Sequence, residues 1–227
     1  MLLRYNRGFN LVELMVAMVA GLLLVAAASA LFASILKANK TAMQVSRLNQ
    51  ELQSITDMMA RDIQRAGYDA SAAEHTLDSG VSGTPSLFYF DSTQHLLNKY
   101  SSSPDKFRCI AVKYDERDAN APSPGLPGVK EAVVYSYRST STDSSIWLDD
   151  LSASASLATL SAACGTGGER ISTDDTIKIT DLTFTLLPSS VSSGARTIRL
   201  TISGNDIKSP ALGLTLQRDI KLRNDGF

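Results

Sequence analysis

Gly8–Lys37 reads GFNLVELMVAMVAGLLLVAAASALFASILK, and its charge pattern decides what kind of molecule the rest must serve. From Leu14 to Leu36 there are 23 uncharged residues, and Ser29 and Ser34 are the sole polar side chains among them. As a helix rising about 1.5 Å per residue, the run would be roughly 34 Å long, enough to cross the hydrocarbon core of a bilayer. Glu13 stands directly before it. An acidic side chain entering a membrane span is costly unless a partner meets it, so Glu13 is a candidate functional residue.

The flanks of the span are balanced, with Arg4 and Arg7 before it and Lys37 and Lys40 after it, so basic residues alone leave its orientation open. The short head favours a cytoplasmic N-terminus, because the long downstream region needs a compartment in which to fold. The run does not fit a cleaved secretory signal. Ala26-Ala27-Ala28-Ser29-Ala30 mimics a small-residue processing site, but it lies inside the apolar stretch, with Leu31, Phe32, Ile35 and Leu36 still to come.

The remaining chain fits one modest globular domain: 227 residues in all, 44% hydrophobic, formal net charge −1. Lys and Arg are scattered, which gives nucleic-acid binding no support. Both cysteines, Cys109 and Cys164, lie downstream of the span. An even count there is compatible with one disulfide in an oxidising compartment, two free thiols being the other reading.

No proline precedes Pro85, so one unbroken helix from Phe9 to Ala66, about 87 Å long, is permitted. After Lys37 the pattern turns amphipathic. Val45, Leu48, Leu52, Ile55, Met59, Ile63 and Ala66 recur at spacings of three and four, which predicts a stripe facing a core. Asp57 and Arg61 have the spacing of an ion pair along the helix, and Gly67 has the position of a C-terminal cap.

Beyond it the chain reads as β-rich. Leu87–Phe90, Cys109–Tyr114, Ala132–Tyr137 and Ile146–Leu148 are short runs of strand formers. Ile177, Ile179, Phe184 and Leu186 mark one or two strands with an irregularity near Asp181-Leu182. Ile198, Leu200 and Ile202, then Leu212, Leu214, Leu216, Ile220 and Leu222, alternate with polar residues. Period-two alternation predicts an antiparallel sheet with one buried face, which the helix stripe can cover. Ser101–Asp105, Asn120–Gly128, Ser139–Ser145 and Ser161–Gly168 are the expected surface loops. The predicted class is α+β, a long N-terminal helix packed on an antiparallel sheet.

Gly8-Phe9-Asn10-Leu11-Val12-Glu13-Leu14-Met15, followed by the apolar run, resembles the cleavage and methylation motif of type IV pilins and type II secretion pseudopilins. The resemblance implies a type IV pilin-like fold and a leader, 1–8, removed by a prepilin peptidase between Gly8 and Phe9. Phe9 would then be N-methylated. Glu13 matches the family's acidic residue at the fifth mature position, where it would serve subunit assembly by meeting a neighbour's N-terminal amine. Asn10 departs from the family's usual threonine or serine. The implied organisation is 9–36 as membrane and filament-core helix, 37–67 as its amphipathic continuation, and 68–227 as the head.

Two further stretches narrow the resemblance. Ala60-Arg61-Asp62-Ile63-Gln64-Arg65-Ala66-Gly67-Tyr68 is similar to the helix-ending segment of PilW-type minor pilins. Leu216-Gln217-Arg218-Asp219-Ile220-Lys221-Leu222-Arg223-Asn224 is similar to the last strand of those proteins and of J-type pseudopilins. Ala26 to Leu31 lacks the helix-kinking proline that many major pilins carry, which also fits a minor subunit. The resemblance implies a structural protein held in the inner membrane with its head in the periplasm, then moved into an extracellular fibre, the pilus. Its partners would be the prepilin peptidase, other minor pilins, the major pilin, the assembly platform and membrane lipid. A J-type pseudopilin and an anchored adhesin or sensor domain that never polymerises are the alternatives.

The sequence gives no catalytic constellation and calls for no cofactor. His75 and His95 lie in polar stretches that read as surface, without metal-ligand spacing. No nucleophile elbow, phosphate loop or zinc-protease motif occurs, and Gly165-Thr166-Gly167-Gly168 reads as a flexible turn. Asp115, Glu116, Asp118 and Asn120 cluster without EF-hand spacing, so a solvated loop is expected there and no metal site.

Overall fold

The computed structural model describes residues 10–69, 88–100, 103, 105–115, 128–140, 143–173, 175–187 and 197–222. It falls into two compact units, Met1–Ser46 and Arg47–Phe227. Helix α1, Leu11–Arg65, contributes to both. The first unit holds its apolar part, in which the large apolar side chains from Leu11 to Leu36 are exposed.

In the second unit, α1 supplies Leu48, Leu52, Ile55, Met59, Ala60 and Ile63 to the core, and Ala66 follows directly. These are the expected stripe positions with one exception. Val45 is exposed, because the packed part of the stripe begins one turn later, at Leu48. Thr56 shares the buried face and spends its hydroxyl on the Leu52 carbonyl, 2.7 Å away. The helix ends as expected at Gly67, whose φ of 78° is the left-handed conformation glycine adopts without a Cβ penalty. That turn sends the Gly67 N–H to the Lys113 carbonyl at 2.9 Å, and the Asp115 N–H bonds the Tyr68 carbonyl at 2.8 Å.

The remaining elements are α2 (Ser92–His95), β1 (Leu96–Lys99), β2 (Lys106–Lys113), β3 (Ala132–Ser139), β4 (Ser144–Leu151), α3 (Leu157–Ala163), β5 (Glu169–Arg170), β6 (Ile177–Leu187), β7 (Thr197–Asp206) and β8 (Gly213–Lys221). Among the described residues the strands form one antiparallel sheet, ordered β5-β4-β3-β2-β6-β7-β8, with β1 also paired to β2. The fold is therefore α+β, a long N-terminal apolar helix whose later half packs on an antiparallel sheet, as the sequence predicts.

The irregularity in β6 has a packing cause. Ile177 and Ile179 face the core at odd positions, while Leu182 and Phe184 face it at even ones. A register shift between Ile179 and Asp181 reconciles the two halves, and lets the Thr180 carbonyl accept a 2.9 Å bond from the Tyr137 hydroxyl. On β7, Ile198, Leu200 and Ile202 are buried as expected, and Gly204 continues that face. A Cβ at Gly204 would lie 3.3 Å from Leu52 Cδ2, so the missing side chain lets helix and sheet approach closely.

Four expectations are corrected. Phe88–Phe90 is not a strand: Phe88 and Phe90 are buried as anchors of an irregular segment, and Leu87 lies outside the described residues. Ser161–Gly168 is not simply a loop, because its first residues belong to α3, where Leu160, Ala163 and then Cys164 make a short buried stripe. The sheet is covered on both faces around β2 and β3. Ile110, Val112, Val133 and Tyr135 face α1, while Cys109, Ala111, Ala132 and Val134 pack with Leu160 and Ala163 of α3. Finally, the Asp57 carboxylate pairs with Arg218 of β8 rather than with Arg61, whose Nε bonds the Asp57 carbonyl at 3.3 Å.

Candidate functional site

The N-terminal segment is built from few interactions. The Asn10 carbonyl accepts the N–H groups of Glu13, at 3.0 Å, and Leu14, at 3.2 Å, which starts α1. Glu13 thus lies in the first helical turn, where the partial positive charge of the helix end favours a carboxylate. Its side chain is exposed, as are the apolar residues that follow. This helix is long and apolar enough to span a membrane, and none of its most apolar stretch is buried. One anion directly before an apolar, unburied stretch fits, by length and composition, a single-pass membrane anchor. Gly8 and Phe9 lie outside the described residues, as do Arg4 and Arg7.

In the head, the two cysteines are joined. Cys109 of β2 and Cys164, just past α3, form a disulfide with their Cα atoms 5.8 Å apart. The bridge closes 55 positions of chain, worth about 4 kcal/mol in the chain-entropy account. It fastens α3 to the outer face of the sheet.

On the opposite face of β2 and β3 a polar network secures the helix. Tyr135 donates its hydroxyl to Asp62 at 2.5 Å, Tyr114 reaches the same carboxylate at 3.4 Å, and the Arg65 guanidinium lies 4.1 Å from the Tyr114 ring centre. Burial, reinforced by the Asp62 charge, pushes the Tyr135 hydroxyl far above the usual phenol range, so it stays a donor. Lys113, also buried, donates to the Ala155 carbonyl at 3.0 Å, and desolvation lowers its pKa.

The expectation that His95 is a surface residue fails. It is buried, stacked on Phe90 with ring centres 5.5 Å apart, and its Nδ1 lies 2.9 Å from the Asp91 N–H. The Asp91 carboxylate caps α2 by accepting from the Thr93 N–H at 2.8 Å, which folds the His95 ring back over its own turn. An aspartate four positions before a histidine was the available signal. His75 lies outside the described residues, as do Glu116, Asp118 and Asn120 of the acidic cluster, while Asp115 is buried. Among the described residues no three or more His, Cys, Asp or Glu gather closely enough to hold a metal ion.

An exposed apolar helix with one acid near its start, joined to a head built around its amphipathic continuation, defines a pilin-like structural protein. The comparisons agree. The prokaryotic N-terminal methylation motif matches residues 3–29, and the family of prepilin peptidase-dependent protein B matches residues 41–222. The chain belongs to the prepilin peptidase-dependent protein B family and is type IV pilin-like. No curated protein and no solved structure matches it.

Proposed function

We propose that this chain is a minor pilin of the PilW type, which helps to start type IV pilus assembly and resides in or near the pilus tip. The observation that carries the reading is the co-occurrence of a methylation motif over residues 3–29 with an unburied apolar helix whose first turn holds Glu13. In this proposal prepilin peptidase removes residues 1–8 and Phe9 becomes the methylated N-terminus. The segment 9–36 is the membrane and filament-core helix, 37–67 its amphipathic continuation, and 68–227 the head. The subunit waits in the inner membrane with its head in the periplasm until the assembly platform passes it to other minor pilins and the major pilin. Apolar helix packing then replaces lipid contact, so extraction need not expose the helix to water. The N-terminal amine of one subunit meets Glu13 of the next, offsetting the cost of burying either charge alone. The chain's role is structural and involves no turnover.

The test is mass spectrometry of the N-terminal peptide from exported protein. A methylated Phe9 start is expected; Met1–Gly8 still attached overturns the reading in favour of an anchored, non-polymerising domain. A J-type pseudopilin of type II secretion is the second reading, since the Leu216–Asn224 stretch is similar to the last strand of both kinds of protein. Encoding beside a secretion operon, rather than beside other minor pilins, would select it.

A further inference from the structure

We propose that Arg138 is the positioning residue for closure of the Cys109–Cys164 bridge: it holds the Cys164 segment over Cys109 before the sulfurs are joined. Arg138 lies on β3, two residues beyond Ser136, the direct cross-strand partner of Cys109. Its guanidinium donates to four carbonyls of the segment that bears Cys164. Nη2 bonds Ala163 at 2.7 Å and Thr166 at 3.1 Å, Nε bonds Cys164 itself at 3.2 Å, and Nη1 bonds Gly167 at 2.8 Å. Its other face lies against Trp147, 4.8 Å from the ring centre.

The last carbonyls of a helix have no partners within the helix, and α3 is short, so this one fork supplies donors to its end and to the turn after it. Gly167 and Gly168, at φ 78° and 75°, turn the segment through left-handed backbone, and a Cβ at Gly168 would collide with the Leu148 carbonyl. The apolar contact under α3 is made largely of small side chains, Ala111, Ala132, Ala163 and Val134 around Leu160, which limits what burial alone contributes to docking. Charge-assisted bonds are about twice as strong as neutral ones, so the Arg138 fork is a principal fastener of the reduced segment.

Closure with glutathione disulfide as oxidant proceeds by two exchanges. One protein thiolate attacks a glutathione sulfur and expels one glutathione thiolate. The second protein thiolate then attacks the protein sulfur of the mixed disulfide and expels the other. Two protein thiols become one disulfide, one glutathione disulfide becomes two thiols, and the protons pass to the released thiolates. The equilibrium reports how closely the reduced fold already holds its two thiols together.

The experiment equilibrates the full-length chain, in detergent micelles, with defined ratios of reduced to oxidised glutathione and measures the bridged fraction. Arg138→Ala is expected to lower the effective thiol concentration by about tenfold or more, and Arg138→Lys by less. By linkage, Arg138→Ala must destabilise the bridged protein more than the reduced one by the same factor. An unchanged equilibrium in Arg138→Ala overturns the proposal, and so does equal destabilisation of both forms. Hydrogen exchange on the reduced wild-type chain decides the matter even if the variants fail to fold. Protection of the amides from Leu160 to Thr166 is expected, and their free exchange in an otherwise folded head overturns it.

Discussion

The His95 ring packs on Phe90, and its Nδ1 lies 2.9 Å from the Asp91 nitrogen and 3.0 Å from the Asp91 carbonyl oxygen. Desolvation lowers its pKa below the ordinary 6.5. Lys113 acts in the same direction, while the carbonyl and carboxylate of Asp91 oppose it. The unfolded chain therefore takes up the proton first as pH falls through about 6.5, and stability declines from there towards the folded-state pKa. Urea unfolding is expected to give a lower midpoint at pH 5.5 than at pH 7.5, with the difference shrinking in His95→Asn, whose side-chain oxygen can replace the Nδ1 acceptor. Equal pH dependence in the two proteins would show that another group governs it. Tyr135 makes a second residue-level case. Removing its hydroxyl in Tyr135→Phe leaves Asp62 short of its nearest donor, and a loss of about 1–3 kcal/mol is expected from chemical denaturation. The Tyr135 role was not legible in the sequence because Asp62 lies far along the chain, while polar flanking residues concealed the burial of His95 and left Asp91, four positions before it, as the local signal.

At the scale of elements, the amphipathic half of α1 was legible because seven apolar residues repeat at helical spacing, a signal that survives without knowledge of what they pack against. Strands β6, β7 and β8 were legible for the corresponding reason at period two. Helix α3 was not. Its sequence, LATLSAA, is small and Ser/Ala-rich, its apolar stripe is a single turn, and its position depends on Cys109 and Arg138 from other strands. Phe88 and Phe90 show the converse error, strand-forming side chains used as core anchors in irregular backbone. Because Leu52 is fully buried and lies close beneath Gly204, Leu52→Ala is expected to cost about 2–5 kcal/mol, read from the denaturation midpoint. Gly204→Val is expected to destabilise as well, by overpacking the same contact. The exposed Asp57–Arg218 pair should contribute less than about 1 kcal/mol, so Asp57→Ala serves as a near-neutral control on the same helix.

Over the whole molecule, the boundary between compact units falls at Ser46/Arg47, within α1, well before the helix ends. The head's core is incomplete without the helix residues Leu48 to Ala66, so a fragment beginning at Arg47 should fold cooperatively while one beginning at Tyr68 should not. Circular dichroism with a thermal scan distinguishes them, and a cooperative transition in the shorter fragment would contradict the role given to the stripe. The membrane-spanning character was legible at once, since 23 uncharged residues require no partner to interpret. The role proposed for Glu13 rests on resemblance alone, because the cation proposed for it belongs to another subunit.

The covering of that stripe also sets an order of events during biosynthesis. Residues 48 to 66 leave the ribosome long before β6 and β7, the strands that supply Phe184, Leu200 and Ile202 to the same core. Until those late strands arrive, the nascent chain must carry this apolar stripe without the sheet that later covers it. Interrupted synthesis would therefore leave a sticky stub rather than a smaller working head.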